Sequence, residues 1–446
     1  MSTSTIAQTR LRGRVIQAGF WWVSGYTVNQ VLRFAGNLIL TRLLFPDAFG
    51  LLAIVQTVIL GFTMLSDMGV APCIVQNKRG DDSAFLNTAW TIQVVRGCLL
   101  WGLLWIASKP SAAFYEQPLL AELLPAAGLT ALITGFNSTK LATADRHLEA
   151  ARVTLIDLGS YAFGLVITVL WAWAEHTVWA LVWGSVIGAV TKMFASHLAL
   201  HGVKNWFHWD DASARTLFGF GQWVFVSSLI TFLAGEGNKL LIGAMLDIHQ
   251  LAFYTLASTM NVMFMQACQQ VAAKVLFPSY AEIIRNHPER LYGALEKGRL
   301  AIILPGWLVA VFFVFLGDTV MRLFYDARYA DSGTMLQLLA IGSLSAVMSL
   351  SYAGVLMAKG MVGRSAMLQA VQVLIQIGAM LVGHQLSGVY GLMVGLAVAN
   401  WIVYFVVAIV FARLSLWHPR VDLPFLGMSA VVLFLAINYG LLPTRG

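Results

Sequence analysis

Charged side chains are scarce in this chain. Only 11% of the 446 residues are Asp, Glu, Lys or Arg, against about 25% in a soluble domain. That excludes an ordinary water-facing surface. Cysteine is scarce too. Cys73, Cys98 and Cys268 all fall in or near apolar runs, and no spacing among them suggests a disulfide framework or a metal site. The nine histidines include His197, His201 and His208 around one polar loop, again at no metal-ligand spacing. No G-x-x-x-x-G-K-[ST] loop is present, which excludes transport driven by nucleotide hydrolysis at this chain. No G-x-S-x-G or H-E-x-x-H element supports an enzyme, and no cofactor is implied. The polar, basic start "MSTSTIAQTRLRGR" is followed by no short apolar core with a small-residue cleavage site, so no removable signal peptide is expected. The longest polar connections are about 20 residues, so no soluble domain is expected.

Apolar sequence is abundant. Hydrophobic residues make up 59% of the chain and the mean hydropathy is +0.75. Runs of roughly 20 apolar residues recur from end to end, each long enough to cross a bilayer as a helix. A transmembrane β-barrel would show alternating ten-residue segments instead. The expected fold class is an all-α polytopic membrane protein. About thirteen spans are expected, near 18–42, 48–76, 86–108, 119–143, 153–174, 177–200, 219–246, 250–277, 300–324, 334–358, 365–384, 389–412 and 424–442.

Basic residues set the orientation. Seventeen Lys and Arg fall in one set of alternate loops; the other set holds three, Lys109, Arg328 and Arg445. The N-terminus is therefore expected in the cytoplasm. The net charge of +7 reads as a topology signal, and nucleic acid is not an expected partner. An echo of "PDAFGLLA" (46–53) in "QLAFYTLA" (250–257) suggests a parallel repeat of six spans. Two six-helix bundles are expected, 1–201 and 202–413, with an extra hydrophobic segment in 414–446.

Polar residues inside the spans must face protein or water, because a mid-bilayer charge costs about 2.5–3.5 kcal/mol. On the first span Tyr26, Gln30, Arg33 and Asn37 share one helical face. Gln56, Thr63 and Asp67 follow on the second, and Gln93 and Arg96 on the third. Asp157 and Lys192 mark the fifth and sixth, Glu236 and Lys239 the seventh. Gln369, Gln372 and Gln376 form a ladder on the eleventh. Two readings stand side by side. The amides and hydroxyls are glue between helices, and Arg33 or Arg96 neutralises Asp67 or Asp157. Alternatively these residues line a wet, mildly cationic cavity. Arg33, Arg96, Lys239, Gln30, Asn37 and the three glutamines would then bind an anionic, hydroxyl-rich substrate, since the guanidinium fork suits phosphate. Glu236, Asp67 and Asp157 would be the ion-coupling candidates. Glu236 and Lys239, three apart on one helical face, form either a self-neutralising pair or a working one.

"LTRLLFPDAFGLLA" followed by "LSDMGVAPCIVQ" resembles the start of Wzx-type oligosaccharide flippases, the polysaccharide transporter branch of the MATE-like superfamily. "GNKLLIGAMLDIHQLAFYTLA", "VLFPSYAEI", "HPERLYGALEKGRLAIILPGWL" and "VMRLFYDARYADSGTMLQLLAIG" extend the likeness over about residues 20–410. The resemblance implies two six-helix bundles in the bacterial inner membrane. It implies translocation of undecaprenyl-diphosphate-linked oligosaccharide repeat units, with H⁺ or Na⁺ as coupling ion. The polymerase and chain-length proteins of polysaccharide assembly are implied partners, besides membrane lipids. Relatives commonly carry aspartate where this chain has Asn238, with Glu236 two residues earlier, which leaves the coupling ion open. The run 424–442 also departs from a twelve-span plan. Two other functions compete: a multidrug/cation antiporter of the same superfamily, which would prefer an acidic cavity, and a membrane glycosyltransferase or polymerase using the same lipid carrier, which would need a sizeable outer loop.

Overall fold

A computed structural model describes residues 3–235, 237–272, 276, 279–280, 283–284, 288–325, 327–329, 331–359 and 361–440. Among the described residues the regular structure is helical throughout, with no strand. Hydrocarbon offers backbone groups no hydrogen-bond partner, and a helix satisfies its own.

The chain divides into two compact units, Met1–Glu236 and Gly237–Gly446. The first contains α1 (Thr3–Leu43), α2 (Pro46–Leu65), α3 (Val70–Gln76), α4 (Ser83–Phe114), α5 (Leu120–Gly135), α6 (Lys140–Arg146), α7 (Ala150–Glu175), α8 (Trp179–Leu198) and α9 (Asp211–Gly235). Here α1 packs on α7, α4 on α5, α7 on α8, α5 on α8, and α9 on α2, α3 and α4. At 41 residues, α1 is about 60 Å long, roughly twice the hydrocarbon thickness. The basic N-terminal stretch therefore extends the first helix rather than forming a loop before it. Small residues let helices approach: a Cβ on Gly97 of α4 would sit 3.1 Å from the Cα of Gly135 on α5.

The second unit contains α10 (Gly237–Met245), α11 (Ile248–Val271), α12 (Leu291–Phe324), α13 (Asp331–Ala358), α14 (Val362–Arg413) and α15 (Pro419–Asn438). A full capping box opens α11, with Asp247 accepting from the Gln250 N–H at 2.8 Å and the Gln250 side chain accepting from the Asp247 N–H. Within α14, Ser387 and Gly388 leave helical geometry, Gly388 at φ 56°. A positive φ costs glycine little and other residues more. The break falls in the gap between the expected spans 365–384 and 389–412. The arms on its two sides touch where Gly383 meets Gly391 and Gly395 meets Ala379.

Among the described residues, eight helices are long and apolar enough to cross a membrane, or nine with α5 and α6 as one bent span. Helices cover the expected runs among the described residues, but some runs are interrupted. The run 48–76 is two helices, because Asp67 Oδ1 accepts the Gly69 N–H at 3.0 Å and Gly69 turns left-handed at φ 59°. The run 119–143 is also two helices, bent by 57° across residues 136–139. The runs 365–384 and 389–412 are the two arms of α14 on either side of the break at Ser387 and Gly388.

Arg299, counted in the sequence as a loop cation, is fully buried. It pairs with Asp422, donates from Nε to Ser351 Oγ at 2.9 Å, and donates from Nη1 to the Tyr352 hydroxyl. Trp417 Nε1 donates to Asp422 Oδ2 at 2.7 Å, and Trp307 Nε1 donates to Ser429 Oγ at 2.8 Å. These contacts bind α15 to α12 and α13. The extra hydrophobic segment is therefore an integral helix of the second unit, starting at Pro419 rather than 424.

Candidate functional site: a cavity beside two interrupted helices

Non-helical backbone at membrane depth is tolerated only where it is buried in protein or lines a cavity. The first unit has both kinds of interruption in one place. The α2–α3 break supplies Asp67, and the α5–α6 break supplies Asn137, Ser138 and Thr139. Together with Arg96 of α4 these residues line a cavity of about 470 Å³, within the usual range for small-ligand sites.

The breaks are held open by specific partners. Gln93 Nε2 donates to the carbonyls of Thr134, Gly135 and Asn137 at 3.2–3.3 Å. The Phe136 carbonyl meets His197 Nε2 at 2.9 Å. Ser196 Oγ accepts the Ser138 N–H at 3.0 Å, and buried Lys140 donates to the His197 carbonyl at 2.8 Å. Gln93 and His197 thereby satisfy carbonyls that the end of α5 leaves orphaned, while Lys140 caps a carbonyl near the end of α8. Beyond the breaks, α3 packs on α6. Arg146 Nη1 donates to the carbonyls of Ile74, Val75 and Asn77 at 3.1, 2.8 and 2.7 Å, and its Nε pairs with Asp81 at 3.1 Å. A residue legible in the sequence only as a loop cation thus caps the C-terminus of α3.

Arg96 is the cavity's cation. Its Nε donates to Ser66 Oγ at 3.1 Å and its Nη2 to the Thr63 carbonyl at 2.7 Å. Asp67 is close enough to interact with it electrostatically. Two candidates from the sequence, Arg96 and Asp67, therefore meet in one site. The others lie elsewhere. Gln30, Arg33 and Asn37 sit on α1, which packs on α7; Arg33 is exposed and within electrostatic reach of Tyr161. Asp157 is paired at 2.6 Å with Lys192 rather than with an arginine. In the second unit Gln369 is exposed, Gln372 half-buried, and Gln376 Nε2 donates to Asn400 Oδ1 at 3.3 Å, as the helix-glue reading expects. Glu236 and the Lys239 side chain lie outside the described residues. The sequence reading missed Asn137, Ser66 and Thr134. The turn-forming strings "LSDMG" and "GFNST" were the available signals.

A strap over residues 203–210 adjoins this region. Trp206 N–H donates to Asn87 Oδ1 at 3.1 Å, His208 N–H to Thr91 Oγ1 at 3.1 Å and Asp210 N–H to Thr88 Oγ1 at 3.0 Å. Arg79 bridges Asp82 and Asp210. The hydrogen bond from Arg79, then the Ala84 N–H, holds the Asp82 carboxyl below its usual range. The Ser213 hydroxyl, then its N–H, does the same for Asp210, with Arg79 assisting.

A family model described as "Polysaccharide biosynthesis protein" matches residues 39–333, and the chain belongs to that family. It is 23% identical over 390 residues to the lipopolysaccharide biosynthesis protein WzxC of Escherichia coli (strain K12), covering 86% of this chain and 78% of that protein. Its fold is that of the lipid II flippase MurJ in an inward closed conformation, with TM-score 0.72 and 11% identity over 94% of this chain and 91% of MurJ. It is also that of an inward-facing multidrug resistance MATE family transporter of the MOP superfamily, with TM-score 0.66 and 14% identity over 87% of this chain and 94% of that one. The Wzx-type, MATE-like resemblance is thereby borne out, and the chain is a multi-pass helical membrane protein.

Proposed function

We propose that the protein is a flippase for lipid-linked oligosaccharides. It would carry undecaprenyl-diphosphate-linked repeat units across the bacterial inner membrane for polysaccharide assembly, as a transporter and not an enzyme. The observation that carries this is the cavity beside two interrupted helices, apolar over much of its lining, with one arginine held in a hydrogen-bonded frame. In helical transporters, broken helices mark substrate sites. The kinship with polysaccharide biosynthesis proteins and a fold shared with a lipid flippase support the same reading. An antiporter for organic cations fits less well, because Arg96 opposes a positive ligand beside Asp67.

The seventeen-to-three distribution of basic residues supports a cytoplasmic N-terminus. With that orientation both helix breaks lie in the cytoplasmic half, where a substrate assembled on the cytoplasmic leaflet presents its headgroup. Arg96 would take the diphosphate. Arg33, Lys239, Gln30, Asn37, Gln369, Gln372 and Gln376 are the further substrate contacts we propose. Glu236, Asp67 and Asp157 are the candidate groups for coupling to H⁺ or Na⁺, Asp157 through exchange of its Lys192 partner. Two six-helix halves would move against each other.

Depletion of the protein in cells tests the assignment. Lipid-linked oligosaccharide should accumulate on the cytoplasmic face of the membrane. Accumulation on the outer face would instead indicate a polymerase or ligase and end the flippase reading.

A further inference from the structure

Three large aromatic side chains stand in the open on the strap 203–210. Trp206, Phe207 and Trp209 are 69%, 66% and 53% exposed. A contiguous apolar patch of this kind marks a surface that something covers. The level of the strap along α4 says what. Arg79, Asp81 and Asp82, just before α4, put that end of the helix in water. At 32 residues α4 is about 48 Å long, about 18 Å more than the hydrocarbon layer. Centred on the bilayer, it enters hydrocarbon about 9 Å from its start, which is about six residues in. Asn87, Thr88 and Thr91, the residues that hold the strap, lie at that level. One turn beyond Thr91, the same face of α4 continues with exposed Val95, Leu99 and Ile106, an apolar stripe for acyl chains to cover.

The strap is built for such a boundary. The N–H groups of Trp206, His208 and Asp210 donate to α4 side chains, and the His208 carbonyl accepts from the Thr91 hydroxyl at 3.0 Å. These polar groups turn to protein, as non-helical backbone beside hydrocarbon requires. Trp209 Nε1 donates to Asp211 Oδ1 at 2.9 Å, which leaves an apolar ring with a satisfied polar tip, the form suited to a membrane interface. Lys204, exposed two residues before Trp206, adds a cation for lipid phosphates. The strap also grips the α5–α6 break. Asn205 Oδ1 accepts from the Ser138 hydroxyl at 2.6 Å and the Thr139 N–H at 3.2 Å, and its Nδ2 donates to Thr139 Oγ1 at 2.7 Å. Phe207 contacts Trp90 at 4.9 Å between ring centroids, and Trp90 meets Phe136 edge-on at 6.2 Å.

We infer that the strap is a membrane-interface anchor for the α5–α6 break: Trp206, Phe207 and Trp209 seat in the headgroup layer of a phospholipid leaflet, and Asn205 passes that hold to Ser138 and Thr139. Both of these residues line the cavity, so one of its walls is fixed by lipid as well as by protein. The inference goes beyond the flippase reading and does not depend on which cargo the protein carries.

The test places the photoreactive p-benzoylphenylalanine at Trp206, Phe207 or Trp209 of the full-length chain, or at exposed Lys78 in the charged loop before α4. Each protein is irradiated in nanodiscs of phosphatidylethanolamine and phosphatidylglycerol, and intact mass reports what has been captured. The strap positions should give phospholipid adducts several times more often than Lys78. Adducts no more frequent than at Lys78 would put the strap in water and overturn the anchor. Capture of a second copy or of a co-purified protein in place of lipid would overturn it too. Hydrogen exchange then reads the hold on the break. Trp206→Ser/Trp209→Ser should speed exchange of the Thr139 amide about fivefold, the equivalent of one net hydrogen bond. Trp206→Phe/Trp209→Phe keeps the apolar rings and should leave that rate unchanged. Lipid adducts together with an unchanged Thr139 rate in the serine variant would show that the strap does not anchor the break.

Discussion

Arg96 shows how one side chain is given a task by its frame. Two of its nitrogens are spent on Ser66 and the Thr63 carbonyl, which fixes the plane of the guanidinium. Lysine keeps the charge but cannot fill that fork. Arg96→Lys should reduce glycan export about tenfold, the equivalent of one charge-assisted hydrogen bond, with membrane abundance unchanged. Export at the wild-type level would remove Arg96 from the site. The strap carboxylates give a pH prediction of known sign. Asp82 and Asp210 are held below their ordinary range in the folded protein. Their contribution is present above the unfolded value of about 4 and is lost as pH falls through the depressed folded values. Hydrogen exchange at the His208 and Asp210 amides, corrected for intrinsic rate, should stay protected from pH 8 to 5 and lose protection only below about pH 4. Loss already near pH 6.5 would contradict the carboxylate account of the strap.

Helix breaks and caps are properties of elements. Gly69 sits at φ 59°, and a Cβ there would press on Val224 and Phe220. Gly69→Ala should lower the Tm in detergent, with a left-handed penalty of about 1–2 kcal/mol. Gly102→Ala in α4, with no atom within 4 Å of the added methyl, should raise it slightly. Equal effects would contradict the break geometry. The attachment of α15 makes a second claim. Asp422→Asn leaves the buried Arg299 charge uncompensated and should cost about 3–5 kcal/mol, seen as lost abundance, whereas Arg299→Met/Asp422→Leu should recover most of it. A stable Asp422→Asn protein would show that the pair does not hold α15.

The contrast between sequence and structure is sharpest in these elements. Lipid forces backbone groups to pair within a segment, so the helical membrane class and the approximate position of each run were legible. The interruptions were not. Residues 66–69 and 136–139 are four-residue events inside apolar windows whose average they barely change. Asp67 and Arg96 were legible as charges out of place, but their meeting depends on the packing of α4 against the α2–α3 break. The burial of Arg299 was hidden because a charge count treats every basic residue near a span end alike.

Ser83 and Ser111 lie near opposite ends of α4, about 42 Å apart at 1.5 Å per residue, enough to straddle the bilayer. In intact cells a cysteine at Ser111 should react with a membrane-impermeant maleimide and one at Ser83 should not. The reverse pattern would invert the topology and place the cavity in the periplasmic half.

Transport itself is measured most directly in proteoliposomes holding the purified protein and a fluorescent, undecaprenyl-diphosphate-linked oligosaccharide in the membrane. A membrane-impermeant quencher or glycosidase then reports the share of substrate in the outer leaflet over time. The flippase account predicts that wild-type protein exposes inner-leaflet substrate much faster than empty liposomes, and that Arg96→Gln does so at a small fraction of the wild-type rate. Exchange no faster than in empty liposomes, under a proton gradient, a sodium gradient and an imposed membrane potential alike, would contradict it.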